Sequence, residues 1–108
     1  MAEEGILKAG EREMREIAGY VQLILDSLND LITKYKDELK NMGILNKLLI
    51  DMEIITMHKY NPEVYITSGY WDDLVNIINL MKQNNKISND LSDIIKLSEE
   101  INELKAKL

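Results

Sequence analysis

Residues 14–42 read MREIAGYVQLILDSLNDLITKYKDELKNM, and apolar or small side chains recur in this stretch at alternating spacings of four and three residues. Such a heptad repeat places one stripe of side chains along a helix. A second row, formed by Ile17, Ile24 and Leu31, runs beside the first. About three residues in seven therefore face inward, which is wider than a two-stranded coiled-coil seam and favours a helix of a bundle. The first row consists of Met14, Ala18, Val21, Leu25, Leu28, Ile32, Tyr35, Leu39 and Met42.

The length of this first helix determines what it needs from the rest of the chain. At about 1.5 Å per residue it is a rod roughly 43 Å long. A helix of this kind is stabilised mainly by packing along its apolar face. Gly43 is predicted to end it, because glycine readily adopts the left-handed conformation found at the C′ position. Residues 1–10 contain Gly5 and Gly10 and are predicted to be frayed or to form a short separate turn.

The segment from Ile44 to Tyr60 fits two secondary structures. Its leucines follow a helical spacing, while residues 50–54 alternate between apolar and acidic side chains like a strand. A strand would need a partner, which residues 63–67 could supply across the Asn61-Pro62 turn. Because an isolated two-stranded hairpin is only marginally stable, we favour a helix. Such a helix, apolar nearly all round, is expected to be the central and most buried one.

Two further helices are predicted downstream. One runs from about Tyr70 to Gln83, and another begins near residues 88–90 and continues to the end of the chain. The sequence therefore predicts an all-α domain spanning residues 1–108, built as a small bundle of about four helices around the long first one. The last helix carries its own heptad seam, formed by Ile94, Leu97, Ile101, Leu104 and Leu108.

Composition limits the classes of function. The chain has 108 residues, 19 acidic against 13 basic side chains and a net charge of −6, so nucleic acid is disfavoured as a partner. It has no cysteine, which excludes disulfides and thiolate metal sites, and its first residues are acidic where a signal peptide is basic. No apolar run approaches the roughly 18 residues that span a bilayer. We expect a cytoplasmic protein without a membrane partner.

No motif for catalysis or cofactor binding is present. His58 is the only histidine, whereas metal sites in helical bundles combine several histidines and carboxylates. The five glycines form no phosphate-binding loop, and no serine lies in a Gly-x-Ser-x-Gly frame. Carboxylate pairs such as Asp26 with Asp30 lie four residues apart, which is typical of a solvated helix face. We therefore expect no enzyme, cofactor, metal or small-molecule substrate.

Aromatic residues cluster around the Pro62 turn, and such clusters are enriched in protein interfaces. The alternative is that they close one end of the bundle while their polar tips reach water. On the first helix, Tyr20 and Leu23 lie off the heptad face and are expected to be exposed. The candidate protein-binding residues are thus Tyr20, Leu23, Tyr60, Tyr65, Tyr70 and Trp71.

The two heptad seams also predict self-association. The third helix is only about half as long as the first, and the last covers roughly 30 Å, so part of the long apolar face would stay bare in a single chain. A two-fold homodimer is the commonest way to bury such a face. The predicted seam, which either forms the dimer interface or belongs to the core of one chain, consists of Leu25, Leu28, Ile32, Ile101 and Leu104.

The function that these patterns favour is a non-enzymatic, acidic protein-interaction module that self-associates. One alternative is an acidic inhibitor of a nucleic-acid-binding protein, of the kind that phages and mobile elements encode. Such an inhibitor needs one contiguous acidic face, and lysines interrupt the acids here. Another is an artificial scaffold without evolved activity, although the ten asparagines are unlike an idealised design.

Overall fold

The computed structural model describes residues 9–108, which form helices joined by turns and contain no strand. The prediction of an all-α chain is confirmed for these residues. The expected number of about four helices is too low, because two single-turn helices lie between the longer ones. Of residues 1–10, predicted to be frayed or to form a short separate turn, residues 1–8 fall outside the described part and Ala9 and Gly10 belong to the first helix. The helices are α1 (Ala9–Asn41), α2 (Leu45–Met57), α3 (Glu63–Thr67), α4 (Tyr70–Met81), α5 (Asn85–Ser88) and α6 (Ser92–Ala106).

The buried face of α1 lies between the two rows read from the sequence. Leu28 of the first row and Ile17 and Ile24 of the second are completely buried. Met14 and Met42, at the two ends of the first row, are only half-buried. The core of the molecule thus lies along the middle of α1, whose wide apolar face packs against the other helices as in a helical bundle.

Helix α6 covers α1 in the antiparallel direction. Near the end of the chain, Leu108 Cδ2 lies 3.9 Å from the position that a Cβ on Gly10 would occupy. Just before α6 begins, Asp90 forms an ion pair with Lys34 at 2.9 Å. The 19 residues from Asp90 to Leu108 therefore span most of the length of α1. Leu91 at the start of this segment and Ile87 just upstream of it are both fully buried.

Helix α1 bends at Tyr35, whose backbone angles (φ −120°, ψ 28°) are not helical. The Tyr35 hydroxyl donates a hydrogen bond to Asp90 Oδ2 at 2.6 Å, and Lys34 Nζ donates to the same oxygen. The hydrogen bond from Tyr35, followed by that from Lys34, lowers the pKa of the Asp90 carboxyl. The Asp90 carboxylate therefore connects the bent part of α1 to the segment that leads into α6.

Gly43 ends α1 as predicted. Its φ of 74° is left-handed, its N–H bonds the carbonyl of Lys40, and the N–H of Ile44 bonds the carbonyl of Leu39. These two bonds form a Schellman motif, which satisfies carbonyls that the helix end leaves unpaired. The motif reverses the chain, so that α2 starts beside the end of α1.

The segment of uncertain secondary structure is helical. Residues 45–57 form α2 and residues 63–67 form α3, so the hairpin alternative is absent from the described chain. Helices α2 and α4 pack against each other as an antiparallel pair, because Asn84, just after α4, contacts the Met42 sulfur just before α2. No helix within residues 9–108 is long and apolar enough to cross a membrane.

Candidate interaction surface

The aromatic cluster around Pro62 does not form one surface. Tyr65 and Trp71, both candidate protein-binding residues, are completely buried in the core and present no surface to a partner in this structure. They lie on the inward faces of α3 and α4, and the indole N–H of Trp71 donates to Asn102 Oδ1 at 2.9 Å. Tyr70 is half-buried. The alternative interpretation of the cluster, in which polar tips reach water, does not describe Tyr65, because its hydroxyl is buried.

Tyr60 is the exposed member of the cluster, with 85% of its surface accessible. The ammonium of Lys59 lies 5.1 Å from the centre of its ring, which is a cation–π distance. Tyr60 stands at the rim of a groove of about 790 Å³ between the start of α1 and residues 59–63. The groove has two acidic and two basic side chains on its walls, so its charge selects no ligand class.

The hydroxyl of Tyr65 has no hydrogen-bond partner among the described residues. Burial raises the pKa of this phenol to about 12, because ionisation would place a charge in the core. A buried hydroxyl without a partner destabilises a fold by the desolvation energy it does not recover.

We expect Tyr65→Phe to be neutral or to raise the free energy of unfolding by about 1 kcal/mol, because it removes the unpaired hydroxyl and keeps the ring. In the wild type, the raised pKa means that, as the pH increases, the phenol loses its proton at a lower pH in the unfolded chain than in the folded chain. Stability linked to Tyr65 is therefore present below pH ~10 and lost as the pH rises towards 12. Urea unfolding at neutral and alkaline pH measures both effects. A large loss of stability at neutral pH would show that the hydroxyl has a partner.

The two candidates on α1 differ in exposure. Tyr20 is half-buried and packs against the core, whereas Leu23 is 52% exposed. The neighbours of Leu23 one turn away are Gly19, Asp26 and Ser27 in addition to Tyr20. A single exposed leucine among polar neighbours is ordinary on a protein surface. Leu23 therefore does not define an interface by itself.

The predicted dimer seam is occupied within one chain. Leu25, Leu28, Ile101 and Leu104 are buried, and Ile32 is half-buried, because α1 and α6 pack together. The part of the α1 apolar face that was expected to stay uncovered is smaller than predicted. The segment before α6 covers some of it, and α1 bends at Tyr35. Association of two folded chains would therefore have to use a different surface.

Helix α2 leaves apolar side chains exposed and is not the most buried helix, contrary to the expectation from its composition. Its inward side, including Leu48 and Ile55, packs on the core. On the opposite side, Ile50 is 52% exposed, Ile54 is half-buried and Met57 is 71% exposed. These three residues are spaced by four and three positions and form one row, which we call the outer face of α2.

A buried charge lies next to this face. Asp51 is fully buried, and its Oδ1 accepts a hydrogen bond from Lys47 Nζ at 3.0 Å, while its Oδ2 has no partner among the described residues. Lys47 also reaches Asp73 of α4 at 3.6 Å. The lysine therefore links the two helices and bounds the outer face of α2 on one side.

No group of three or more histidine and acidic side chains that could hold a metal ion occurs in residues 9–108. His58 follows the last residue of α2 and is half-buried. Comparison with known proteins adds no assignment, since no family model, curated protein or solved structure matches the chain. The functional interpretation consequently depends on the surface of this chain alone.

Proposed function

We propose that this chain is a non-enzymatic, acidic protein-interaction module that self-associates through the outer face of α2. The observation that supports this proposal is the exposed apolar row of Ile50, Ile54 and Met57 on a helix whose other side is already in the core. A helix that is apolar nearly all round is normally covered on every side. Here one side has no cover from residues 9–108.

The spacing of the row suits another helix. Side chains four and three residues apart form the stripe that packs into the holes of a facing helix. Fully burying an aliphatic side chain of this size contributes about 1.5 to 3 kcal/mol. Because these three side chains are already partly covered, their burial in a contact contributes less free energy than this. We therefore expect a weak, concentration-dependent association.

A second copy of the chain is the partner that we propose. Closed two-fold dimers are the commonest oligomers, and they bring the same patch of both subunits together. The row is short and ends at polar residues, Lys47 on one side and Asn61 on the other. Two identical rows therefore match in length.

The test is the molar mass in solution, measured by light scattering over a range of concentrations. The wild type should approach twice the 12.5 kDa of one chain at roughly tens of micromolar and dissociate on dilution. The variant Ile50→Glu with Met57→Glu should remain a single chain at the same concentrations, because burying two carboxylates in the contact is unfavourable.

A matched control adds two glutamates elsewhere. Leu23→Glu with Asn29→Glu changes one exposed leucine and one exposed polar residue on α1 and gives the same net charge. This control should associate like the wild type. If the control dissociates instead, the contact lies on α1. If the wild type has the molar mass of one chain throughout the concentration range, self-association is refuted.

The alternative of an acidic inhibitor gains no support from the charge positions. Lys34, Lys86 and Lys105 form ion pairs with Asp90, Glu38 and Asp72, so these acids are partly neutralised. A surface that imitates nucleic acid presents unpaired negative charges in series. The cytoplasm remains our proposed location, since the chain contains no cysteine.

A further inference from the structure

The methionines of the described chain differ sharply in exposure. Met57 is 71% exposed, whereas Met52 is 6% exposed and Met81 is completely buried. Met14 and Met42 are half-buried, and the Met42 sulfur accepts a contact from the Asn84 amide at 3.6 Å. Met57 is therefore the methionine of residues 9–108 that an oxidant in solution reaches most easily.

We propose that Met57 is an oxidation site and that its conversion to the sulfoxide switches off the contact through the outer face of α2. The oxidant is a peroxide, with hydrogen peroxide as the simplest member. The thioether sulfur attacks one oxygen, the O–O bond breaks, and the released hydroxide takes the remaining proton and leaves as water. The sulfur loses two electrons, the peroxide gains them, and one oxygen atom stays on Met57.

The sulfoxide changes the outer face in a way that opposes association. It replaces a flexible apolar group by a polar one. In the associated state its oxygen would be removed from water, at one end of a row made only of apolar side chains. Burial of a polar group without a hydrogen-bond partner is unfavourable. This part of the proposal depends on the proposed function, whereas the selectivity of oxidation does not.

The fold itself should survive the modification. Met57 is the last residue of α2 and is not part of the buried core. An added oxygen at such a position points to water in the separate chain. Oxidation of Met81, which is fully buried, would instead disturb the core. Selective oxidation at Met57 therefore affects the surface and leaves the helices intact.

Association and oxidation are coupled by mass action. A second copy that covers the outer face also covers the Met57 sulfur, so the separate chain is the form that reacts. Each oxidised chain then leaves the pool that can associate. The rate of oxidation at Met57 should fall as the protein concentration rises through the range in which the molar mass doubles.

The experiment treats the full chain with hydrogen peroxide and follows it by peptide mass mapping, light scattering and far-UV circular dichroism. Among the five methionines of the described residues, Met57 should gain oxygen several times faster than any other. The molar mass should return to that of one chain as this oxygen is added, with the helical signal unchanged. Oxygen added first to Met14 or Met42 would overturn the assignment.

Met57→Leu is the matched control, because leucine keeps an apolar side chain and has no sulfur. This variant should associate like the wild type, and peroxide should leave its molar mass unchanged. Equal sensitivity of the wild type and the variant would refute the switch. If the wild type never associates, the proposed function and the switch both fail, while the mapping still decides whether Met57 is the preferred oxidation site.

Discussion

Leu28→Ala should lower the free energy of unfolding by about 2 to 5 kcal/mol, through lost transfer energy and the cavity that remains. Leu28 is at the middle of the heptad row of α1 and has no exposed surface. Helix α6 packs along α1, so the surroundings cannot collapse without moving a second helix. Urea unfolding followed by circular dichroism measures the difference.

Leu23→Ala is the control for this measurement. It is the same substitution on the same helix, but Leu23 is 52% exposed, and surface substitutions usually change stability by no more than about 0.5 kcal/mol. A loss below about 1 kcal/mol for Leu28→Ala would mean that this face of α1 is not core. Comparable losses for the two variants would place both sides of α1 against other helices.

The sequence predicted the parts of the fold that depend on local spacing. The heptad rows of α1 predicted the side on which Leu28 and Ile24 are buried, because the helical period determines which side of the helix a residue at a given spacing occupies. Gly43 predicted the end of α1 because few residues other than glycine adopt a positive φ there. Both features are decided within a few residues of chain.

The parts that spacing did not predict depend on packing between distant segments. Trp71 and Tyr65 have the polar tips that suit an interface, and only the positions of α3 and α4 in the fold show that they are buried. Short helices such as α5 have too few residues to show a period. The bend at Tyr35 involves an aspartate 55 residues away.

The role of the apolar seams could not be predicted for a related reason. The seams of α1 and α6 are apolar whether a second copy or the same chain covers them, so the sequence could not distinguish a dimer interface from a core. The surplus of apolar residues on α2 was visible as a helix apolar nearly all round. That surplus predicts a central position for α2, whereas the structure leaves Ile50 and Met57 in contact with water.

Trp71→Ala should lower the free energy of unfolding by about 3 to 5 kcal/mol, because it removes the largest side chain that the core contains. Trp71 begins the buried face of α4, and its hydrogen bond to Asn102 connects α4 with α6. If the substitution prevents folding, Trp71→Phe gives a smaller loss that still reports the same site, because it keeps an aromatic ring and removes the N–H. Unfolding of both variants is followed by circular dichroism.

The same residue distinguishes core from interface. As the only tryptophan, Trp71 should emit at short wavelength in the folded wild type, and its emission should not change on dilution through the association range. The control Tyr60→Ala removes an aromatic side chain that is 85% exposed and should alter stability by no more than about 0.5 kcal/mol. Wild-type stability of Trp71→Ala, or emission that shifts with protein concentration, would return Trp71 to the list of contact residues. A loss confined to Trp71→Ala would instead show that Trp71 acts as a core residue and Tyr60 as a surface residue, because burial, and not residue type, decides what each side chain contributes.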